Sequence, residues 1–341
     1  MTGSTDNPLG STRWCKRMTP GLERVAADKY TENWLTQYEP PRRKRYLRDL
    51  GRFREWLGKE PKILLLDARS RGPENANRAL TDYYNYLVED EGKAPTSANQ
   101  YITRLRGYFT ANGVYLGRFR PKTDVQATYE RPKASSLSRQ DLSNMVKSRK
   151  KARDKFVIAF LAQTGQRIGI LTAIKRKMMT EKVMRGHGIV TVPSNFPNRR
   201  GENVNTSGRK YTFIVGRDTM KLLRQLDKLR DSWDGEGRLN VSQRQVGRIV
   251  DKAAQAIGIQ DKQPTRIGGS WSDVHPNTFR KYWKHCMLHA RTDRGAVLHM
   301  MGSDLPSILR GSEPIDNELL AAYEKAESAL SLSHAPKTEE V

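Results

Sequence analysis

Apolar residues recur at helical spacing through the first third of the chain. Tyr46, Leu50, Phe53 and Leu57 follow one another in steps of 4, 3 and 4, which places them on one helix face. Leu80, Tyr83 or Tyr84, and Leu87 form a second stripe. Pro95-Thr96-Ser97 opens a third helix, with Ser97 and Gln100 in capping-box spacing and Tyr101, Leu105 and Tyr108 as its buried face. Residues 25–118 therefore read as a small helical bundle. Before it, residues 1–24 are rich in Gly, Ser, Thr and Pro and read as a flexible arm. After it, residues 119–136 lack periodicity, carry prolines and read as an interdomain linker.

The second part of the chain mixes periods. Ser138 and Asp141 cap a new helix, and the nearly continuous apolar run Phe156–Ala162 predicts a buried one. Thr164-Gly165 breaks that run, and Ile168, Leu171 and Ile174 resume a helical stripe. Residues 188–193 and 210–215 are β-like by composition, with the polar stretch Asn195–Arg209 between them as a long hairpin loop. Helices return after Asp218, from Ser242 with Gln245 as its capping partner, near Thr278, and from Pro314 to about Leu332. Residues 333–341 form a polar tail. The expected fold class is mainly α with a small antiparallel β-sheet: a helical bundle, then a mixed α/β domain over residues 137–332.

Charge narrows the function. The 341 residues include 61 Lys and Arg against 37 Asp and Glu, a net charge of +24. That exceeds what solubility requires and attracts polyanions, of which nucleic acid is the commonest large one. A merely basic, ribosome-like protein shares this composition. Cys15 and Cys286 are too few and too far apart for a disulfide framework. No apolar stretch reaches transmembrane length, and the first residues carry no signal-peptide pattern. The expectation is a cytoplasmic, nucleoid-associated protein, or one of the host cytoplasm if the source is viral, with no membrane partner.

Several short motifs follow one another in a telling order. Thr164-Gly165-Gln166-Arg167 precedes a helix, and Ser136-Leu137-Ser138-Arg139-Gln140-Asp141-Leu142 lies upstream of it. The β-pair comes next, then Asn277-Thr278-Phe279-Arg280-Lys281-Tyr282-Trp283, then Met301-Gly302-Ser303, then Glu318 to Ala326 with Tyr323 inside it. In order and spacing this resembles the tyrosine recombinase (phage-type integrase) family over roughly residues 25–332, and the last segment is closest to archaeal integrase relatives. The resemblance implies a helical core-binding (SAM-like) bundle and a catalytic domain closing as a C-shaped clamp on duplex DNA. It implies cleavage and rejoining of DNA through a covalent 3′-phosphotyrosine, without metal or ATP. It also implies self-association as a tetramer on two DNA sites, with exchange of the tail after Leu332 between protomers.

By the same resemblance Tyr323 is the nucleophile, Arg167 and Arg280 hold the nonbridging oxygens, and Lys210 protonates the leaving oxygen. Asn277, His275 and Ser303 stand as possible catalytic support. Each residue also has a plainer reading. Arg167 suits a helix start, Arg280 a basic-aromatic helix on the DNA backbone, and Tyr323 shares a stripe with Leu320 and Leu330 and suits a core. Lys210 lies in a basic hairpin with Arg199, Arg200 and Arg209 that suits phosphate contacts alone. Arg42, Arg43, Lys44 and Arg45, the run Lys147–Arg153, and Lys281 are further candidate phosphate contacts.

The chain departs from the family pattern at several points. Ile170 replaces the usual acidic residue three after the first arginine, and Asn277 the usual His or Lys three before the second, with His275 two residues earlier. Ser303 replaces the Gly-His histidine, and Ser312 stands where a tyrosine commonly falls. These losses keep two other readings open: a relative that binds DNA as an accessory or regulator, and an unrelated basic helical DNA-binding protein. His285 and His289, at i and i+4 beside Cys286, have a spacing compatible with zinc but lack two further ligands, so ordinary helix side chains are the expectation and no metal or other cofactor is expected.

Overall fold

The computed structural model describes residues 28–119, 137–229, 232–260, 262–264, 270–272, 274–303 and 314–332. The expected arm, the linker apart from residue 119, the tail, Cys15 and Ser312 lie outside the described residues. The chain is mainly α with a small antiparallel sheet, and it divides into two compact units.

The first unit holds five helices: α1 (Lys29–Leu35), α2 (Pro40–Leu57), α3 (Pro61–Arg71), α4 (Glu74–Glu89) and α5 (Pro95–Ala111). Its core is aromatic, built on Trp34, Phe53, Tyr83, Tyr84, Tyr108 and Phe109. The α2 stripe divides: Leu50 and Phe53 are fully buried, while Tyr46 and Leu57 pack on the rim of the core. On α4 both Tyr83 and Tyr84 face inward. The expected Ser97–Gln100 capping box does not form. Helix α5 begins at Pro95, whose ring presets the first helical φ and whose missing N–H needs no cap. The Gln100 side chain instead accepts a hydrogen bond from Arg104. Arg104 also pairs with the buried Asp49 and ties α5 to α2.

The second unit is built around one buried helix. It comprises α6 (Arg139–Lys147), α7 (Ala152–Thr164), α8 (Ile168–Ala173), α9 (Arg176–Thr180), β1 (Val183–Met184), β2 (His187–Val192), β3 (Tyr211–Val215), α10 (Arg217–Leu226), α11 (Gln243–Ala256), β4 (Lys262–Pro264), β5 (Ser270–Ser272), α12 (Pro276–His289), α13 (Arg294–Met300) and α14 (Asp316–Leu330). Every α7 residue from Phe156 to Thr164 is buried, which explains its unbroken apolar run, and α6, α10 and α12 pack around it. Strands β1, β2 and β3 form an antiparallel sheet in that order, with Ile189 opposite Ile214 and Val192 opposite Tyr211. A second antiparallel pair joins β4 to β5.

Both expected capping boxes of this unit are formed, Ser138 with Asp141 on α6 and Ser242 with Gln245 on α11. Ser138→Ala removes the oxygen that accepts from the Asp141 N–H at 3.1 Å. The expected loss is about 1 kcal/mol, read as a lower urea midpoint with an unchanged slope. No helix among the described residues is long and apolar enough to cross a membrane.

Candidate functional site

Helix α7 ends at Gly165, which adopts φ +60° and closes the helix in the left-handed region. A side chain could not be accommodated there, because a Cβ would lie 2.7 Å from the Trp283 ring. The chain then turns through Gln166 into Arg167, the N-cap of α8. A second tight turn follows α13 at Met301-Gly302-Ser303, where Gly302 has φ +55° and a Cβ would meet the Tyr211 ring at 2.6 Å. These two glycine turns bring the two arginine motifs together.

Arg280 projects from the first turns of α12. It donates through Nη1 to the Gly165 carbonyl at 2.8 Å, and through Nη2 to the Met301 carbonyl at 2.8 Å and to Ser303 Oγ at 3.0 Å. Arg167 Nη1 donates to the Gly302 carbonyl at 3.2 Å. Both guanidiniums are half-buried and, among the described residues, neither has a carboxylate partner. Burial and the neighbouring Arg167 charge lower the Arg280 pKa to about 10. Ile170, at the position usual for an acidic residue, is buried in the core and brings no counter-charge.

Two residues that sequence reasoning passed over brace this arrangement. Gln166 Nε2 donates to the Met300 carbonyl at 2.7 Å, and its Oε1 accepts from the Tyr211 hydroxyl at 3.0 Å. Tyr211 is buried beside both arginines, and burial, partly offset by their charge, pushes its phenol up to about 12. Gln166 occupies the variable position of its motif and Tyr211 reads as an ordinary strand residue, so no sequence signal marks either.

The hairpin reaches the same turn through Arg209, whose Nη2 donates to the Ser303 carbonyl at 3.2 Å. Lys210 is exposed, and among the described residues its side chain makes no hydrogen bond or ion pair.

Tyr323 is held in the core. It is fully buried, and its hydroxyl donates to the Gln163 carbonyl at 2.9 Å. The hydroxyl fits against Gly216, where a Cβ would stand 2.5 Å away. Burial, with Glu327 and Asp218 nearby, raises its phenol well above its ordinary value of 10.0. In this fold the Tyr323 side chain sits in the core and holds α14 to α7. The same latch includes Gln163, whose Nε2 donates to Asp218 at 3.2 Å, and Asp218, which accepts from the Leu332 N–H at 2.7 Å.

The remaining candidates separate into anchored and exposed groups. His275 Nδ1 accepts from the Thr278 N–H at 3.2 Å and caps α12, while Asn277 is exposed on the first turn. Arg199 pairs with Asp234 at 2.9 Å and donates to the Leu239 carbonyl, so it fixes its loop. Arg43 Nε donates to the Tyr38 carbonyl at 2.6 Å. Arg42, Lys44, Arg45, Arg200 and Lys281 are exposed. The His285 and His289 rings lie 4.4 Å apart, and no group of three or more metal-ligating side chains occurs among the described residues.

No protein-family model matches the chain, and no curated protein matches it in sequence. Solved structures do. The Tn1549 transposon integrase in complex with transposon right-end DNA aligns with a TM-score of 0.54 at 14% identity, covering 87% of this chain and 98% of that one. A variant of the same integrase in complex with a circular-intermediate DNA gives 0.53 at 15% identity, covering 87% and 99%. A lambda integrase tetramer bound to a Holliday junction gives 0.46 at 16% identity, covering 89% and 80%. The likeness to the Tn1549 integrase establishes the fold: this chain has the tyrosine recombinase/integrase fold.

Proposed function

We propose that this chain is a recombinase-type DNA-binding protein, and that Arg167 and Arg280 clamp one phosphate of duplex DNA at the Met301-Gly302-Ser303 turn. One observation carries the reading: two neighbouring guanidiniums, each oriented by backbone carbonyls, face each other with no carboxylate partner among the described residues. Like charges held this close are stabilised by a bound anion, and planar forks match phosphate oxygens. The net charge of +24 supplies a long-range field for a polyanion. Exposed Arg42, Lys44, Arg45, Arg200 and Lys281 add phosphate contacts that position without specifying bases, and self-association on DNA accompanies any exchange between two sites.

Cleavage through a 3′-phosphotyrosine is the finer step of this reading. For Tyr323 to act, α14 must leave its seat, breaking the Gln163 latch and exposing Leu319, Leu320 and Leu330. Each such side chain contributes about 1.5–3 kcal/mol by its burial. The folded protomer therefore holds a phosphate without presenting this phenol to it. That burial favours a second reading, a DNA-binding accessory or regulator that does not cut.

A nicked suicide duplex carrying the cognate attachment site tests both. The protomer is expected to bind it, to lose affinity in Arg167→Ala, and to give no covalent adduct on a denaturing gel. Tyr323→Phe is expected to leave binding unchanged and to cost about 1 kcal/mol of stability, the value of one hydrogen bond. An adduct that disappears in Tyr323→Phe would make the chain a cutting recombinase and overturn the accessory reading. Binding untouched by Arg167→Ala would remove the phosphate clamp itself.

A further inference from the structure

We infer that Arg209 is the third phosphate ligand of this clamp, in the place where the resemblance puts a lysine; the inference rests on the proposed phosphate site. Three consecutive residues each anchor a guanidinium: Met301 and Ser303 hold Arg280, Gly302 holds Arg167, and the Ser303 carbonyl holds Arg209. Neighbouring Cα atoms are about 3.8 Å apart, so the three cations share one turn. None of the three has a carboxylate partner among the described residues.

The hairpin is built to aim Arg209. The buried Asn205 side chain donates to the Arg209 carbonyl at 2.7 Å, and its Oδ1 accepts from Ser207 Oγ at 2.6 Å. Ser207 Oγ in turn lies 3.2 Å from the Arg209 carbonyl and accepts from the Arg209 N–H at 3.3 Å. Two residues on, Tyr211 locks the strand through Gln166 and the Gly302 contact. The backbone is thus fixed on both sides of Arg209, and its side chain reaches the Ser303 carbonyl. Next to it, Lys210 points to solvent.

The identity of the cation matters. A lysine ammonium loses its proton readily when its surroundings lower its pKa, whereas a guanidinium stays protonated at neutral pH. Arg209 therefore adds the directed hydrogen bonds of a planar fork to the grip on the bound phosphate. In this chain the hairpin serves to hold DNA.

Binding of the full-length protein to a short random-sequence duplex, measured against salt concentration, tests this. Arg209→Ala is expected to weaken binding about tenfold and to reduce the salt slope by about 0.9, the loss of one phosphate contact. Arg209→Lys, which keeps the charge, should retain most of the slope. Thermal melting of each variant separates a lost contact from a lost fold, and an affinity loss that tracks a lower melting temperature in both variants would overturn the inference. So would Arg209→Ala with wild-type slope while Lys210→Ala loses it, which would restore the hairpin lysine. Arg167→Ala and Arg280→Ala run in parallel: if they weaken binding and Arg209→Ala does not, only the third ligand is lost. If none of the three weakens it, the phosphate clamp fails as a whole.

Discussion

Gly165→Ala is expected to destabilise the second unit by about 3 kcal/mol, the sum of a left-handed backbone penalty and core overpacking. The backbone at this position has φ +60°, which a Cβ disfavours. The added carbon would lie 2.7–2.8 Å from three atoms of the Trp283 ring. Trp283 cannot yield, because it is buried and its Nε1 donates to the Gln163 carbonyl at 3.0 Å. The Gly165 carbonyl also orients Arg280, so the same change should weaken DNA binding in whatever fraction remains folded. Urea unfolding of wild type and variant checks the magnitude through the midpoint at constant slope. A shift worth under about 1 kcal/mol would show that the turn relaxes freely and that Trp283 does not constrain it.

Arg280→Ala should do the reverse, with a large effect on binding and a small one on stability. Burial and the Arg167 charge lower the Arg280 pKa to about 10 from its ordinary 12.5, so the folded protein binds this proton less tightly than the unfolded chain does. The cost of holding the cation is fully present below about pH 10 and fades as the pH rises toward 12.5. At neutral pH the variant sheds that cost and loses three hydrogen bonds, so its melting temperature should change little. Duplex affinity should fall about a hundredfold, as expected for losing charge-assisted bonds from a planar fork, and the salt slope by about 0.9. A variant that melts far below wild type, with its affinity loss explained by unfolding alone, would make Arg280 a packing residue.

What could be read along the chain was whatever is settled locally. The Thr164-Gly165 break, the Ser138–Asp141 and Ser242–Gln245 boxes and the Phe156–Ala162 run each depend on neighbours a few residues away, and each appears in the fold. Ser97–Gln100 failed within the same range because Pro95 starts α5 earlier. Arg209 and Lys210 precede β3, and no local pattern distinguishes them; the Ser303 carbonyl that Arg209 reaches lies 94 residues further along. The two natures of Tyr323, nucleophile or core residue, were both visible in its stripe. What seats it in the core is the carbonyl of Gln163, 160 positions upstream, and the absent side chain of Gly216. No local pattern carries such information. Gln166 and Tyr211 were missed for the same reason, since their bonds run 134 and 45 residues along the chain.

The end of α7 also has a consequence for how the chain folds. A helix terminus leaves carbonyls that must find donors. Here the Gln163 carbonyl is satisfied by Trp283 and Tyr323, and the Gly165 carbonyl by Arg280, across separations of 120, 160 and 115 residues. A polypeptide emerging from the ribosome has none of these donors until α12 and α14 have been made. The central helix of the second unit must therefore wait, incompletely satisfied, through the synthesis of more than a hundred residues, and long-range closures of this kind fold slowly. The five-helix unit made first carries no such debt and can fold while the remainder is still being translated.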